Sequence, residues 1–195
     1  MLHTVASYLA NLTICKSQQN TMKMPILIYG FEVILSQVFA GCAIIFIGLF
    51  TRKQIESVAF LVTFISLRLY CGGYHAATYK KCFLSSIALF ILILVLCELT
   101  ILTNGFFVLW SIGELASGVI LYKAPVININ HPVSEERKKI NRRKAVLILL
   151  SIDIVIILCI VFRIVGNGVI TATITKIMVA VLMQLGIWKE RRRKE

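Results

Sequence analysis

Long apolar runs alternate with short polar segments along the chain, and the lengths of these runs predict its architecture. A helix rises 1.5 Å per residue, so about 20 apolar residues cross the ~30 Å hydrocarbon layer of a bilayer. The pattern predicts an all-α polytopic integral membrane bundle of about six spans, with residues 1–195 forming one transmembrane domain. The predicted spans are residues 25–50, 55–67, 83–102, 106–122, 145–162 and 169–188.

The second run, residues 55–67, is short for a crossing and fits either a tilted span or a re-entrant helix. A full crossing places Arg52 and Lys53 on the outside, against the tendency of basic residues to stay in the cytoplasm. A re-entrant helix removes that conflict but moves the N-terminus outside. We favour six spans with both termini in the cytoplasm.

Residues 1–24 differ from the spans, because apolar residues recur there at helical spacing with polar residues between them. This pattern predicts a short amphipathic helix in the membrane interface, and a disordered tail is the alternative. The stretch lacks a basic start followed by an apolar block and a small-residue cleavage site. We therefore expect no cleavable signal peptide.

Charge sets the predicted orientation. The chain carries 21 Lys and Arg against 9 Asp and Glu, a net charge of +12, with 58% hydrophobic residues. The basic residues concentrate in short segments, chiefly 123–144 and 189–195, which is the positive-inside pattern of a membrane protein; we expect no nucleic-acid partner. Both segments are therefore assigned to the cytoplasm. Counting spans backwards puts residues 68–82 on the same side.

One polar segment after the second run combines nucleophile and base side chains, namely Cys71, His75 and Cys82. A cysteine attacks as the thiolate, and a neighbouring histidine takes its proton and later gives it to a leaving group. Cys82 precedes a long apolar helix, whose N-terminus favours a thiolate. Lys80 and Lys81 add positive potential.

Spacing alone does not choose the nucleophile. On a straight helix, His75 and Cys82 would lie about 10 Å apart along the axis, so the segment between them must bend for the side chains to meet. Cys71 stands four positions before His75, a contact spacing on a helix, but Gly72-Gly73 argues against a helix there. A structural cysteine and a solvated histidine are the plainer interpretation. A zinc site of His75, Cys71 and Cys82 has no evident fourth ligand, so we expect no metal and no other cofactor.

Two other features of the sequence bear on its structure and function, namely acidic residues within the spans and a candidate helix N-cap. Acidic residues within spans are costly unless they are paired or face a cavity, so they either hold helices together or orient His75. These acids are Glu32, Glu98, Glu114 and Asp153. With Gln37, Glu32 also indicates that one face of the first span is turned toward protein. In the basic segment, Ser134 is a candidate helix N-cap, against the alternative of a solvated connector.

Three short patterns occur together in this small multi-span chain. The first is Arg68-x-x-x-Gly72-Gly73-x-His75-Ala76, then five residues and Cys82. The second is Ala124-Pro125-Val126…Asn130-x-Pro132 followed by Glu135-Glu136-Arg137-Lys138-Lys139, and a weaker third is Tyr29-Gly30-Phe31-Glu32. Together they resemble the AgrB family, the accessory gene regulator B membrane endopeptidases of Gram-positive bacteria. Ser66 departs from the family pattern, which has a proline there, and this affects only the expected local kink.

The resemblance implies a membrane cysteine endopeptidase in the cell membrane of a Gram-positive bacterium, with its active site toward the cytoplasm. Cys82 would be the nucleophile and His75 the general base and acid. The remaining site residues would support the site or bind substrate, and they are Arg68, Gly72, Gly73, Lys80, Lys81 and Glu32. The implied partners are membrane lipid, a second copy in a homodimer, and an AgrD-like propeptide. That propeptide would lose its acidic tail and cyclise to a thiolactone or lactone, the precursor of a quorum-sensing signal.

Two non-enzymatic interpretations compete with this one. A small transporter or channel could line its path with the intramembrane acids, although the chain shows no internal repeat and no paired broken helices. A membrane scaffold could bind anionic lipid through its basic loops. Replacing Cys82 separates these hypotheses, because only an enzyme would lose peptide processing.

Overall fold

The computed structural model describes residues 2–17, 24–72, 79–126 and 134–192. Within these ranges the helices are α1 Leu2–Ser17, α2 Met24–Phe50, α3 Gln54–Cys71, α4 Tyr79–Leu102, α5 Phe106–Lys123, α6 Glu135–Val161 and α7 Asn167–Arg192. Helices α2 to α7 are the six described helices that are long and apolar enough to cross a membrane. This confirms the predicted all-α polytopic bundle.

Consecutive spans alternate in direction, which gives the bundle two ends. The basic end carries the starts of α2, α4 and α6 and the ends of α3, α5 and α7. The opposite end carries three tight turns. Basic side chains such as Lys123, Lys144 and Arg192 lie at the basic end. The expected cytoplasmic location of that end, drawn from the positive-inside tendency, stays a prediction.

Helix α7 lies at the centre of the bundle and packs against α3, α4, α5 and α6. Of its span, 56% is buried inside the protein, against at most 33% of any other span. The other helices turn apolar faces outward, as lipid requires. Small polar residues can be buried in this central helix when their hydroxyls are hydrogen-bonded. The hydroxyls of Thr173 and Thr175 donate to carbonyl oxygens one turn earlier in α7.

Helix α3 crosses the whole bundle. Near its start, the carboxylate of Glu56 accepts a hydrogen bond from Nδ2 of Asn167, at the beginning of α7, at 2.9 Å. At its other end, the carbonyl oxygen of Cys71 accepts from the backbone N–H of Val126, just after α5, at 2.9 Å. The start of α7 and the end of α5 are at opposite ends of the bundle. The 18 residues of α3 rise about 27 Å, so the full crossing is favoured over the re-entrant alternative.

The crossing leaves Arg52 and Lys53 at the opposite end, where ion pairs compensate one of the two charges. Lys53 forms an ion pair with Glu98, at the end of α4, and a second with Glu56 at 3.5 Å. The hydrogen bond with Glu98 raises the pKa of Lys53 above its ordinary value. Because Lys53 is paired with two carboxylates, it adds no net positive charge at this end of the bundle. Its position there is therefore compatible with the positive-inside tendency.

The three turns at the opposite end share one geometry. Each contains a non-glycine residue with positive φ: Arg52 at 56°, Asn104 at 49° and Arg163 at 58°. The next residue donates to the carbonyl five positions earlier: Lys53 to Gly48 at 2.7 Å, Gly105 to Thr100 at 3.1 Å and Ile164 to Cys159 at 2.8 Å. This is the Schellman pattern of helix ends.

Local signals at the basic end also match the sequence. The hydroxyl of Ser134 accepts from the backbone N–H of Arg137 at 3.4 Å, which confirms the N-cap of α6.

Helix α1 forms where the amphipathic pattern predicted it, and packs against α2. Among the side chains of α1 that the structure describes, Ala6 and Ala10, one turn apart, are fully buried, which lets the two helices approach closely. The interfacial location of α1 stays a prediction.

Candidate active site

Cys82 lies in the first turn of α4, at the basic end, and its side chain is partly exposed. Positive potential at a helix N-terminus stabilises a thiolate there. The hydroxyls of Ser85 and Ser86 donate to the carbonyl oxygen of Cys82 at 2.9 and 3.0 Å. The start of α4 therefore holds the predicted nucleophile in an accessible position on a regular helix.

A hydrogen-bond donor from another helix reaches the sulfur of Cys82. Nε2 of Gln37, on α2, donates to Sγ at 3.5 Å. The sequence analysis used Gln37 only, with Glu32, to predict that one face of the first span is turned toward protein. No motif or spacing connects it with a cysteine 45 positions later, so this contact was not predictable from the sequence pattern.

Arg68 is a predicted site residue that the structure describes. Its guanidinium, in the last turn of α3, interacts electrostatically with the thiols of Cys82 and Cys71. It also donates to the carbonyl oxygen of Gly72 at 2.6 Å, while the N–H of Gly72 donates to the Arg68 carbonyl at 3.3 Å. These bonds hold the arginine at the end of its own helix. The predicted role of Arg68 in supporting the site or binding substrate stays a prediction.

Burial separates the two candidate nucleophiles. Cys71 is completely buried, with 0% of its surface exposed, whereas Cys82 is partly exposed. A thiol without access to solvent or substrate cannot attack a peptide bond unless the helix end moves. Cys82 is therefore the better placed of the two, in agreement with the assignment that the resemblance implies.

A contact between Gly72 and Val126 joins two segments that the sequence separates by about fifty residues. The two residues form an isolated parallel β-bridge. Gly72 has a φ of +70°, and a Cβ there would lie 2.3 Å from the carbonyl oxygen of Val126. Both the backbone angle and the close approach require glycine. The first two family-like patterns therefore meet at the basic end.

The other predicted site residues divide into described and undescribed positions. Glu32 is buried on α2, on a stripe with Ser36 and Ala40 at four-residue spacing. Lys81 is exposed in the first turn of α4. His75 and Gly73 lie outside the described residues, and so does the side chain of Lys80. Their predicted roles, and the position of His75 relative to Cys82, stay predictions.

Basic side chains at this end are held by specific contacts. Nζ of Lys123 donates to Oε1 of Gln184 on α7 at 2.8 Å. Nζ of Lys144 lies 5.3 Å from the ring centroid of Tyr70, on α3, in a cation–π contact. These contacts fix positive charge around the end of α3, near Arg68. An acidic ligand would meet a favourable potential there.

Deeper in the bundle, Lys176 joins three helices. Its Nζ, fully buried on α7, lies 2.6 Å from Oδ1 of Asp153 on α6 and 3.1 Å from Oε1 of Glu114 on α5. The sequence drew attention to the two acids but not to this lysine. All three residues are eight or nine positions from the opposite end of their helices, a depth of about 12–14 Å. Equal depth is the signal that could have paired them.

The sequence predicts that the chain needs no metal, and the structure describes only some of the residues that this prediction concerns. In the described part of the chain, no group of three or more His, Cys, Asp or Glu side chains could hold a metal ion. The zinc alternative requires His75, which lies outside that part. It stays a prediction that the chain needs no metal.

Comparison with known sequences supports the resemblance. The sequence model of the accessory gene regulator B family, AgrB, matches residues 3–186. The chain is 31% identical over 120 residues to an AgrB-like protein of Listeria monocytogenes serotype 4b, covering 61% of this chain and 58% of the relative. It is 30% identical over 129 residues to an AgrB-like protein of Clostridium perfringens strain SM101, covering 64% and 60%.

A second Clostridium perfringens protein, from strain 13, is named AgrB-like protein 2. It is 23% identical over 162 residues, covering 78% of this chain and 73% of that protein. The chain thus spans about three fifths of the length of the first relatives that it matches. No solved structure matches it significantly. Because the family model covers nearly the whole chain, this multi-pass membrane protein belongs to the accessory gene regulator B family.

Proposed function

We propose that this chain is a membrane-embedded cysteine endopeptidase of a quorum-sensing system, which removes the C-terminal tail of a small propeptide. The observation that carries the proposal is the environment of Cys82. Its partly exposed thiol lies in the first turn of a helix and accepts a hydrogen bond from the amide of Gln37, and it interacts electrostatically with Arg68. The second candidate, Cys71, is buried.

The chemistry proceeds in two balanced steps. Sγ of Cys82 bonds to the carbonyl carbon between core and tail, His75 passes the thiol proton to the leaving nitrogen, and the C–N bond breaks. The core is then held on Cys82 as a thioester. A thiol or hydroxyl within the core attacks this thioester, its proton returns through His75 to Sγ, and a thiolactone or lactone is released. A water-poor site favours ring closure over hydrolysis.

The charge of the basic end fits an AgrD-like propeptide with an acidic tail. Arg68, with Lys80 and Lys81, would hold the tail, and the fixed cations Lys123 and Lys144 would add to the attracting field. The test is a propeptide whose tail acids are replaced by lysines. Its cleavage should slow markedly, and equal cleavage rates for the two tails would contradict this role for the basic residues.

The distribution of charge and the family of the chain also support a proposal for the membrane orientation and the oligomeric state. The basic end faces the cytoplasm of a Gram-positive cell, the helices contact membrane lipid, and two copies form a homodimer. Glu32, buried on α2, is a candidate to orient His75 as a third member of the site. A carboxylate in that position would fix one imidazole nitrogen as a donor and leave the other to act as base.

The deciding experiment is co-expression with the propeptide, followed by mass spectrometry of the peptide and of the enzyme. The wild type should yield a shortened peptide and a core–enzyme adduct on Cys82, and Cys82→Ala should abolish both. Cys159→Ala is the matched control, because that cysteine is also partly buried but lies on α6 near the opposite end. Unchanged processing by Cys82→Ala would refute the peptidase proposal.

A carrier or channel remains the alternative, with weaker support. It used the four acids inside the membrane to line a path, and three of them are ion-paired: Glu98 with Lys53, and Glu114 and Asp153 with Lys176. These pairs satisfy the acids locally, so they do not need a transport path to explain them.

A further inference from the structure

Gln37 has a primary amide on an otherwise apolar face of α2. Its surface neighbours Ile34 and Val38 are exposed by 58% and 56%, as expected of residues that face lipid. An amide in such a place is costly unless it is hydrogen-bonded. The acceptor that it has is the sulfur of Cys82 at 3.5 Å, and a thiol sulfur is a weak acceptor.

We infer that Gln37 donates a hydrogen bond to the oxyanion that forms when Cys82 attacks the substrate carbonyl. The inference rests on the proposed function. When Sγ bonds to the carbonyl carbon, the carbonyl oxygen takes the electron pair of its π bond and becomes negatively charged. Collapse of this intermediate re-forms the C=O bond and expels the tail nitrogen, which leaves with the proton from His75.

The geometry suits this task. The developing oxyanion is two bonds from Sγ, so a donor that already reaches Sγ needs only a small side-chain rotation to reach the oxygen. Gln side chains are among the groups that serve as oxyanion donors, and such bonds strengthen as charge develops. Among the described residues, the side-chain amide of Gln37 has no hydrogen-bond partner other than Cys82. One N–H of the amide is thus directed to Sγ, and the substrate oxygen would take this bond over or accept from the second N–H.

Arg68 does not duplicate this role. Its guanidinium is on α3, donates to the carbonyl oxygen of Gly72 at 2.6 Å and interacts electrostatically with Cys82. A cation at that place stabilises the thiolate before attack, whereas the Gln37 amide acts on charge that appears only during attack. The two residues come from different helices and can be tested separately.

The test compares Gln37→Met with the wild type in the full-length protein in lipid nanodiscs. Methionine keeps the length of the side chain, suits a lipid-facing site and removes the donor. Two rates are measured: single-turnover formation of the core–enzyme thioester, and alkylation of Cys82 by iodoacetamide as a function of pH. The matched control is Gln54→Met, an exposed glutamine at the start of α3, at the opposite end.

We expect Gln37→Met to slow thioester formation about 100- to 1,000-fold, with the pH profile of alkylation unchanged and Gln54→Met fully active. Gln37→Glu, which replaces the donor by an anion, should be slower still. Full activity of Gln37→Met would overturn the inference. A parallel change in the alkylation profile would also overturn it, because Gln37 would then act on the thiol itself. Activity retained by Cys82→Ala would instead refute the peptidase proposal.

Discussion

The carbonyl oxygen of Val126 lies 2.3 Å from the position that a Cβ on Gly72 would occupy. This contact ties the end of α3, which holds Arg68, to the segment that follows α5. The backbone of Gly72 at φ +70° is also unfavourable for other residues. Any side chain there must push the two segments apart.

Gly72→Ala should therefore disrupt the site more than the fold. We expect strain and clash of about 2 kcal/mol or more, and at least a tenfold loss of propeptide processing, measured by mass spectrometry at equal protein levels. Gly118→Ala is the matched control, since a Cβ there meets nothing within 4 Å. Equal processing by the two variants would show that the Gly72–Val126 contact is dispensable.

The Lys176 network should be the most sensitive electrostatic feature of the fold. Lys176→Met leaves Asp153 and Glu114 without their cation inside the bundle. Loss of one partner from a buried ion pair costs about 3–5 kcal/mol, so the thermal midpoint in detergent should fall by several degrees. Adding Asp153→Asn and Glu114→Gln removes the uncompensated charges and should recover most of the loss. Equal midpoints for the single and triple variants would contradict this explanation.

The Lys53–Glu98 pair should show a weaker effect that depends on pH. Because the pair raises the pKa of Lys53, its contribution to stability is complete below the pKa of the unfolded lysine, about 10.4, and is lost as pH rises through the folded pKa. Lys53→Met should lower the thermal midpoint slightly at about pH 8, as expected for an exposed pair. The difference from the wild type should disappear in strongly alkaline buffer. A constant difference at every pH would point to lost packing instead.

Close packing at the opposite end predicts a separate stability defect. A Cβ on Gly48 would lie 1.7 Å from Oγ of Ser57 and 3.0 Å from the carbonyl oxygen of Lys53. Gly48→Ala should therefore push α2 from the start of α3 and cost about 1–3 kcal/mol, read as a lower thermal midpoint. Gly41→Ala, on the same helix with its nearest neighbour at 4.0 Å, should be nearly neutral. Similar midpoints for both would mean that the α2–α3 contact adjusts freely.

Hydropathy was sufficient to predict the spans, because the thickness of a membrane imposes a length that each run must meet. It could not decide whether residues 55–67 cross, since that depends on the partners of α3 at both ends. The equal depth of Lys176, Asp153 and Glu114 in their spans is compatible with a pairing, but hydropathy alone does not establish it. The pairing depends on three helices being adjacent, and run length does not report adjacency.

The candidate site was predictable in part for the same reason. Cys82 was expected at the start of a span, and α4 begins at Tyr79. The amide of Gln37 and the backbone of Val126 come from distant positions, and only packing brings them to Cys82 and Gly72. The burial of Cys71 likewise follows from its neighbours in three dimensions. Local pattern thus locates the reacting residue, whereas its surroundings come from tertiary contacts.

The central position of α7 has a consequence for how the protein is made. Helices α1 to α6 leave the ribosome before α7, so the inner faces of α3 and α5 must wait for residues 167–192 to be synthesised and inserted. Until then Asp153 and Glu114 have no cation, and the start of α3 has no contact with Asn167. The bundle therefore closes late, and a nascent chain interrupted before α7 presents unpaired acids to the membrane.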